Sequence, residues 1–481
     1  MRQGRVQLGD FSNKNKTMTM SSTTRTGALG GLRLRRALGL RDLVIYGVIL
    51  VSPISPTPFF GILTQRGHGH AATTILIAML AMLPTAINYG LMARVYPSAG
   101  SAFTYVGREI SPVLGYVTGW GMVMDYLLNP LISIIWVGQQ AHVFFPAIPY
   151  WLWAALFAGL STGLTVQGIK SSARANTVMG AVLVVVIVIF FVAATVFVLN
   201  HPHAGAGFFT RPFYDPKTWS TNVILSGTSM AMLTYIGFDG ISTLSEECDN
   251  PRRNVLIATV LTCLIVGALS IMEVYAAQLV WPGSEPFPNL DTAFTFVAQR
   301  AWPPLFAVVG LALMLNLMAI ATAAQLAVAR LLYGMGRSGA LPPSFFGAMY
   351  AKTQVPRNNV LFVGVFILIG ALILPAVSGN STGYELGGNL VNFGALIAFM
   401  GVNAAAFVRL YLKADKKHWL NLILPLSGFI ICLVLWWNLT SRAKAFGLTW
   451  MFLGIAYGAW RTGGFRRNLA DFDVAAETAD S

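Results

Sequence analysis

Charge is what this sequence most lacks. Only 10% of its 481 residues are Asp, Glu, Lys or Arg, less than half of the roughly 25% usual in soluble domains. So few charges cannot cover the surface of one or several globular domains, which excludes a soluble enzyme, and the hydrophobic content excludes a disordered chain. Cysteine is scarce as well. Cys248, Cys263 and Cys432 lie within or beside apolar runs, and an odd, small set of this kind supports no disulfide framework and has no metal-ligand spacing. The pairs His68/His70 and His201/His203 fall in loops, and no nucleophile motif, His/Asp cluster or metal signature occurs. Neither catalysis nor a resident cofactor is expected.

What the chain has in plenty is apolar sequence. Hydrophobic residues make up 55% of it, with a mean hydropathy of +0.64; that is about 265 residues, enough for about twelve spans of ~20 residues. Twelve apolar segments, each bounded by Gly, Pro or charge, run over 42–65, 71–96, 112–145, 149–167, 176–199, 220–247, 254–281, 302–335, 358–378, 385–409, 419–438 and 446–461. They predict an all-α integral membrane protein with twelve transmembrane helices.

The formal charge of +14 does not point to nucleic acid, because nine of the 32 Lys and Arg fall in the first 41 residues and most others flank apolar runs. That placement reports orientation in a lipid bilayer. With the amino terminus inside, 26 Lys and Arg lie on the inner side and 6 on the outer, which predicts that both termini are cytoplasmic. Residues 1–36, rich in Ser, Thr and Arg without an apolar stretch, predict a disordered cytoplasmic tail rather than a signal peptide. Residues 37–412 then form a ten-span core, 413–465 two peripheral spans, and 466–481 a cytoplasmic tail.

Two of the segments cannot be continuous helices. The first reads Gly47-Val-Ile-Leu-Val-Ser-Pro-Ile-Ser-Pro-Thr-Pro-Phe-Phe-Gly61. Pro53, Pro56 and Pro58 remove three backbone donors and crowd the carbonyls before them. The sixth carries Gly237, Asp239 and Gly240 at its centre, and an aspartate at mid-membrane costs about 2.5–3.5 kcal/mol on insertion scales. The two interruptions sit at matching positions of two successive five-span units. Paired interrupted helices of this kind mark a transporter binding site, because broken helices expose amide donors and carbonyl acceptors at membrane depth.

At this point the motifs resemble those of the amino acid–polyamine–organocation permeases, over about residues 33–465. Tyr96-Pro-Ser-Ala-Gly-Ser-Ala-Phe-Thr-Tyr105, Gly115-Tyr-Val-Thr-Gly-Trp120, Gly237-Phe-Asp-Gly-Ile-Ser-Thr-Leu-Ser-Glu-Glu247 with Asn250-Pro-Arg-Arg-Asn254, and Ala329-Arg-Leu-Leu-Tyr-Gly-Met-Gly-Arg-Ser-Gly-Ala-Leu-Pro342 carry the likeness. Within that family Asp125-Tyr-Leu-Leu-Asn-Pro130, Thr243-Leu-Ser-Glu-Glu247, Gly394-Ala-Leu-Ile-Ala-Phe399 and Trp436-Trp-Asn-Leu439 are similar to bacterial putrescine importers. Two departures stand out. Val51-Ser-Pro53 replaces the Gly-Ser-Gly of many members, and Thr57-Pro-Phe-Phe60 has no carboxylate where putrescine importers carry an aspartate.

The resemblance implies a leucine-transporter-like fold with a 5+5 inverted repeat and a secondary transporter of the bacterial inner membrane. It would take up an amino acid or amine by alternating access, coupled to a cation, protons before sodium; the alternatives are a dedicated putrescine or polyamine importer, an amino acid/amine exchanger and, further off, a non-transporting sensor or a channel. Substrate would lie between Ser52, Pro53, Ile54 and Ser55 on one side and Tyr235, Gly237 and Asp239 on the other. Asp125 is a candidate for a substrate ammonium group. Asp239 and Glu273 are candidates for proton coupling, because with Asp125 they are the acidic residues well inside predicted spans. Glu246, Glu247, Arg252 and Arg253 would form a cytoplasmic gate cluster. Where some proton-coupled relatives place a lysine, this chain has Leu183, so no charge replaces a bound sodium there; Thr322 is a possible sodium ligand.

Overall fold

The computed structural model describes residues 38–96, 101–168, 173–201, 207–245, 248–282, 285–337, 341–350, 355–379 and 382–466. Glu246, Glu247 and the two expected tails, apart from Arg466, lie outside the described residues. Among those described, the regular elements are all helical; the only β pairing is two isolated bridges, Leu38 with Cys248 and Tyr350 with Val355.

The first apolar segment gives two short helices, α1 (Leu40–Val51) and α2 (Phe60–Arg66), with a 3₁₀ turn at Thr57–Phe59 between them. Then come α3 (Ala71–Val95), α4 (Ser101–Glu109), α5 (Pro112–Phe144), α6 (Tyr150–Val166) and α7 (Ala173–Asn200). The sixth segment forms α8 (Thr221–Ala231) and continues as 3₁₀ turns at Met232–Tyr235 and Phe238–Leu244. It is followed by α9 (Pro251–Val280), α10 (Ala293–Ala301), α11 (Leu305–Arg337) and the single turn α12 (Pro343–Phe346). The chain ends in α13 (Arg357–Val377), α14 (Gly383–Phe407) with a π turn at Val408–Leu412, α15 (Trp419–Trp437) and α16 (Ser441–Thr462). Helices α4, α10 and α12 fall in stretches where no span was expected.

Eight of these helices are long and apolar enough to cross a membrane: α3, α5, α7, α9, α11, α13, α14 and α15. Their outward faces agree with that role. Val182, Val185, Val188, Val192 and Val196 of α7, Val365 and Ile369 of α13, and Ile423 and Ile430 of α15 are exposed. A soluble protein would place charge at such positions, whereas a bilayer accepts apolar side chains all round.

Inside, α3 lies along α9, α5 along α14 and α11, and α1 against α9. Buried polar links tie neighbouring helices. Asn88 on α3 donates to Asn403 on α14 at 2.7 Å, and Asn403 donates to Thr85 at 2.9 Å. Ser161 on α6 donates to Gln325 on α11 at 2.9 Å. Each such bond contributes about 0.6–2 kcal/mol in a membrane bundle. At one end the buried Glu109 of α4 accepts from Tyr96 Oη at 2.7 Å and from Lys413 Nζ at 2.9 Å, with Arg409 Nε 3.6 Å away, which fastens α4 to the π turn after α14. At the other end both nitrogens of buried His70 are engaged. Nδ1 meets the Gly67 carbonyl at 2.8 Å, and Nε2 accepts the Asp215 amide at 3.0 Å.

Candidate functional site

The prolines stop the first helix where the sequence places them. Helix α1 ends at Val51, Ser52 takes a φ of +77°, and residues 53–56 form turns before the 3₁₀ segment begins. A positive φ on a residue with a Cβ is uncommon and stores strain. It turns the chain so that the Ser52 hydroxyl lies buried without a hydrogen-bond partner. Pro53 and Ser55 keep partial exposure inside the bundle, whereas Ile54 is buried.

The second break is built on glycine. Ile236 is extended and Gly237 has a φ of +113°, a conformation that L side chains rarely adopt. No α-helix resumes before Leu244. The two breaks touch: a methyl placed on Gly237 would sit 3.6 Å from the Leu50 carbonyl oxygen, and one on Gly240 would fall 2.6 Å from Leu50 Cδ2.

Asp239 lies just past this turn, and its carboxylate faces the backbone amides of Gly237, Gly240 and its own residue. It is also the common electrostatic neighbour of Asp125 and Tyr126 on α5, Tyr89 on α3, Tyr105 on α4 and Cys263 on α9. Asp125, Tyr126, Ile236, Gly237 and Asp239 are each only half-buried. Neither Asp125 nor Asp239 takes part in an ion pair among the described residues, and no cationic side chain is among the groups acting on either. The fold therefore brings Asp125, Asp239 and the Ser52–Ser55 turn to one place.

The other sequence candidates have contacts of their own. The Tyr235 ring is buried and its hydroxyl donates to the Ile75 carbonyl of α3 at 3.0 Å. Glu273 is buried on α9 with Oε2 unpartnered. Arg252 and Arg253 are exposed in the first turn of α9. Thr322 spends its hydroxyl on the Met318 carbonyl at 2.8 Å, one turn back in its own helix. Leu183 faces the first break. With Ile54, Thr57, Val186, Ile187, Phe190, Phe294 and Leu313 it lines a small apolar pocket.

Sequence inspection missed the junction of α2 and α14. There Arg66 Nε donates to the buried carboxylate of Glu385 at 2.5 Å. The pair lies on the wall of a polar cavity of about 720 Å³, lined also by Gln65, His68, Asn222 and Arg442. Thr382 three residues before Glu385 is a legible N-cap, and the Glu385 amide does bond its hydroxyl at 3.0 Å. Nothing in the sequence, however, tells that the carboxylate would meet an arginine 319 positions away. The tyrosines around Asp239 were equally hidden, since Tyr89, Tyr105 and Tyr126 come from three helices.

A multi-pass helical membrane protein with two opposed helix breaks over an uncompensated pair of carboxylates has the construction of a carrier. The chain belongs to the amino acid permease family, whose sequence pattern matches residues 54–463. It is 33% identical over 456 residues to the low-affinity putrescine importer PlaP of Escherichia coli, covering 92% of this chain and 98% of the importer. It is 24% identical to the branched-chain amino acid permease BcaP of Bacillus subtilis, over 89% of this chain and 93% of that permease. With cationic amino acid transporter 6 of Arabidopsis thaliana it shares 27% identity over 88% of this chain and 74% of the relative. The protein is a permease, a transporter of amino acids or related amines, in a family made up of transporters.

Proposed function

We propose that the protein imports an organic cation, an amine or a cationic amino acid, across the bacterial cytoplasmic membrane in symport with protons. The observation that carries this is the pair Asp125 and Asp239, close to one another at the meeting of the two breaks and without a cationic partner. Two neighbouring, half-buried carboxylates with no cation beside them favour a positively charged ligand, protons, or both. An ammonium group would be met by Asp125, and Asp239 would carry the proton. The half-buried Ser52–Ser55 turn would supply carbonyl acceptors.

The larger reading follows the family. Twelve crossings, with α1/α2 and α8 with its 3₁₀ extension counted as one interrupted span each, would form a 5+5 inverted repeat plus α15 and α16. Both termini would be cytoplasmic, a reading the 26-to-6 distribution of Lys and Arg supports. Access would alternate by rocking one group of helices against the other around the fixed site. The Arg66–Glu385 pair would close the outer side, and Glu246, Glu247, Arg252 and Arg253 the cytoplasmic side. The apolar surroundings of Leu183 favour protons over sodium.

The test is uptake of labelled putrescine into proteoliposomes under an inward proton gradient, in competition with a panel of amino acids. Saturable uptake that collapses when the gradient is dissipated supports a proton-coupled amine importer. Transport of a panel amino acid without putrescine would instead favour a zwitterionic substrate, whose carboxylate the unpartnered Ser52 hydroxyl and the turn amides would receive. If no amine or amino acid moves under any imposed cation gradient, the assignment is wrong.

A further inference from the structure

The turn before α10 holds a carboxyl group that the proposed transport site does not use. Asn289 Oδ1 accepts the amides of Asp291 at 2.9 Å and Thr292 at 3.2 Å, and Trp136 Nε1 of α5 donates to the Asp291 carbonyl at 2.6 Å. The carbonyl of Leu290 occupies the space that a Cβ on Gly61 would need, so the turn is wedged against α2, the helix that carries Arg66. Asp291 itself is 3% exposed, and its Oδ1 has no hydrogen-bond partner. The Thr382 hydroxyl faces this carboxyl, while Thr382 Oγ1 accepts the amide of Glu385, whose carboxylate grips Arg66. An uninterrupted polar chain thus runs from Asp291 to the outer ion pair.

The charges along that chain do not balance. Asp291 faces Glu385 and Tyr384 of α14 and Tyr150 of α6, while α5 presents the uncharged Trp136. Of the cations at this end, Arg66 of α2 is engaged by Glu385 and Arg442 gives Nη1 to the Val377 carbonyl; none is among the groups acting on Asp291. An ionised Asp291 would be a buried charge beside a like charge, with a single hydroxyl to solvate it. We propose that Asp291 is a proton-binding site of the outer gate, so that closing the Arg66–Glu385 pair takes a proton from the outer solution onto the Asp291 carboxyl.

Burial first, and then the Glu385 charge, push the Asp291 carboxyl up to about 7 in the closed arrangement, against the Thr382 hydroxyl, which lowers it. An open gate that admits water returns the carboxyl toward its ordinary value of about 3.9. The closed state therefore binds the proton more tightly, and acid favours closure. That contribution is complete below about pH 4 and lost as the pH rises through about 7. This inference rests on the carrier reading, because it needs an outer gate that opens.

The test does not require transport. In full-length protein in liposomes, Cys248, Cys263 and Cys432, all buried, are replaced by alanine. Asn389→Cys then places a thiol one turn inward of Glu385 on α14, where Asn389 donates to the Glu385 carbonyl. A membrane-impermeant methanethiosulfonate reagent added outside reports opening. Dividing its rate by that of the same protein with Asp291→Asn cancels thiol ionisation. The expected ratio rises about 30-fold from pH 5.5 to pH 8, with a midpoint near 7. Thr382→Val, which removes the hydroxyl facing the carboxyl, should move the midpoint to higher pH. A flat ratio overturns the proposal. If Asp291→Asn does not fold, a midpoint unmoved by Thr382→Val overturns it equally. A protein that transports but gives a flat ratio removes only the Asp291 site, whereas one that transports nothing removes the carrier reading.

Discussion

Arg66 and Glu385, 319 positions apart in the chain, meet where α2 adjoins α14, with Arg66 Nε 2.5 Å from the carboxylate. The partners are unequal, because the arginine side chain is 36% exposed and the glutamate 2%. Arg66→Gln leaves a buried carboxylate without its cation and should cost about 2 kcal/mol, between the limits for surface and buried pairs. Glu385→Gln leaves an arginine that water can solvate and should cost under about 1 kcal/mol. Thermal unfolding of the two variants in detergent checks the order, and a Glu385→Gln loss as large as that of Arg66→Gln would show that the stranded buried carboxylate is not what costs stability.

The two central carboxylates should separate by assay. On the proposed reading, Asp125→Asn removes a charge-assisted contact to an ammonium group, worth about 1.5–3 kcal/mol, and should lower both uptake and exchange of labelled putrescine about 10- to 100-fold. Asp239→Asn should abolish gradient-driven accumulation while exchange across an equilibrated membrane persists. Accumulation retained in Asp239→Asn would remove that residue from coupling.

Much of the fold was legible because the membrane forces sequence and structure into register. Span edges expected at 71–96, 112–145 and 149–167 fall within a residue of α3, α5 and α6, since a polar backbone in lipid leaves little choice but helix. The breaks were legible for local reasons as well: three prolines after Val51, and glycines flanking Asp239. What stayed hidden depends on tertiary contact. Short α10 carries too little apolar length to announce itself. Asp291 looks like an ordinary loop aspartate until Gly61, Trp136 and Thr382 close around it. Arg66 and Glu385 are unremarkable flanking charges until the helices bring them together.

Sodium should not drive uptake through the first break. The pocket beside Ile54 is walled by Leu183, Val186, Ile187, Phe190 and Leu313, and the one side-chain oxygen lining it, that of Thr57, donates to the Ile54 carbonyl at 2.8 Å. A hard cation needs several oxygen ligands, and this wall offers no free side-chain oxygen. Replacing external sodium with choline at constant pH should change uptake by less than about 2-fold, on the expectation that hard cations go unbound where oxygen ligands are missing. A steep sodium dependence would place the cation elsewhere in the protein and count against proton coupling.

Two glycines at close helix contacts should differ in how well they tolerate a methyl group. A Cβ on Gly61 would fall on the Leu290 carbonyl oxygen and 2.6 Å from Ala293 Cβ. The obstacle is backbone, pinned by Asn289 and by Trp136, so the whole turn before α10 must move away from α2. A Cβ on Gly47 would meet the Thr262 hydroxyl and, at 2.5 Å, Ile241 Cδ1, the ends of side chains that can rotate aside. Overpacking costs about 1–3 kcal/mol. Gly61→Ala should lie at the upper end of that range and Gly47→Ala at or below the lower. Because the displaced turn carries Asp291, Gly61→Ala should also flatten the pH dependence of outer labelling, which Gly47→Ala should leave intact. Melting temperatures and labelling profiles of the two variants decide the matter, and a Gly47→Ala protein that is the less stable of the two would show that α1, not the turn against α2, is the tighter contact.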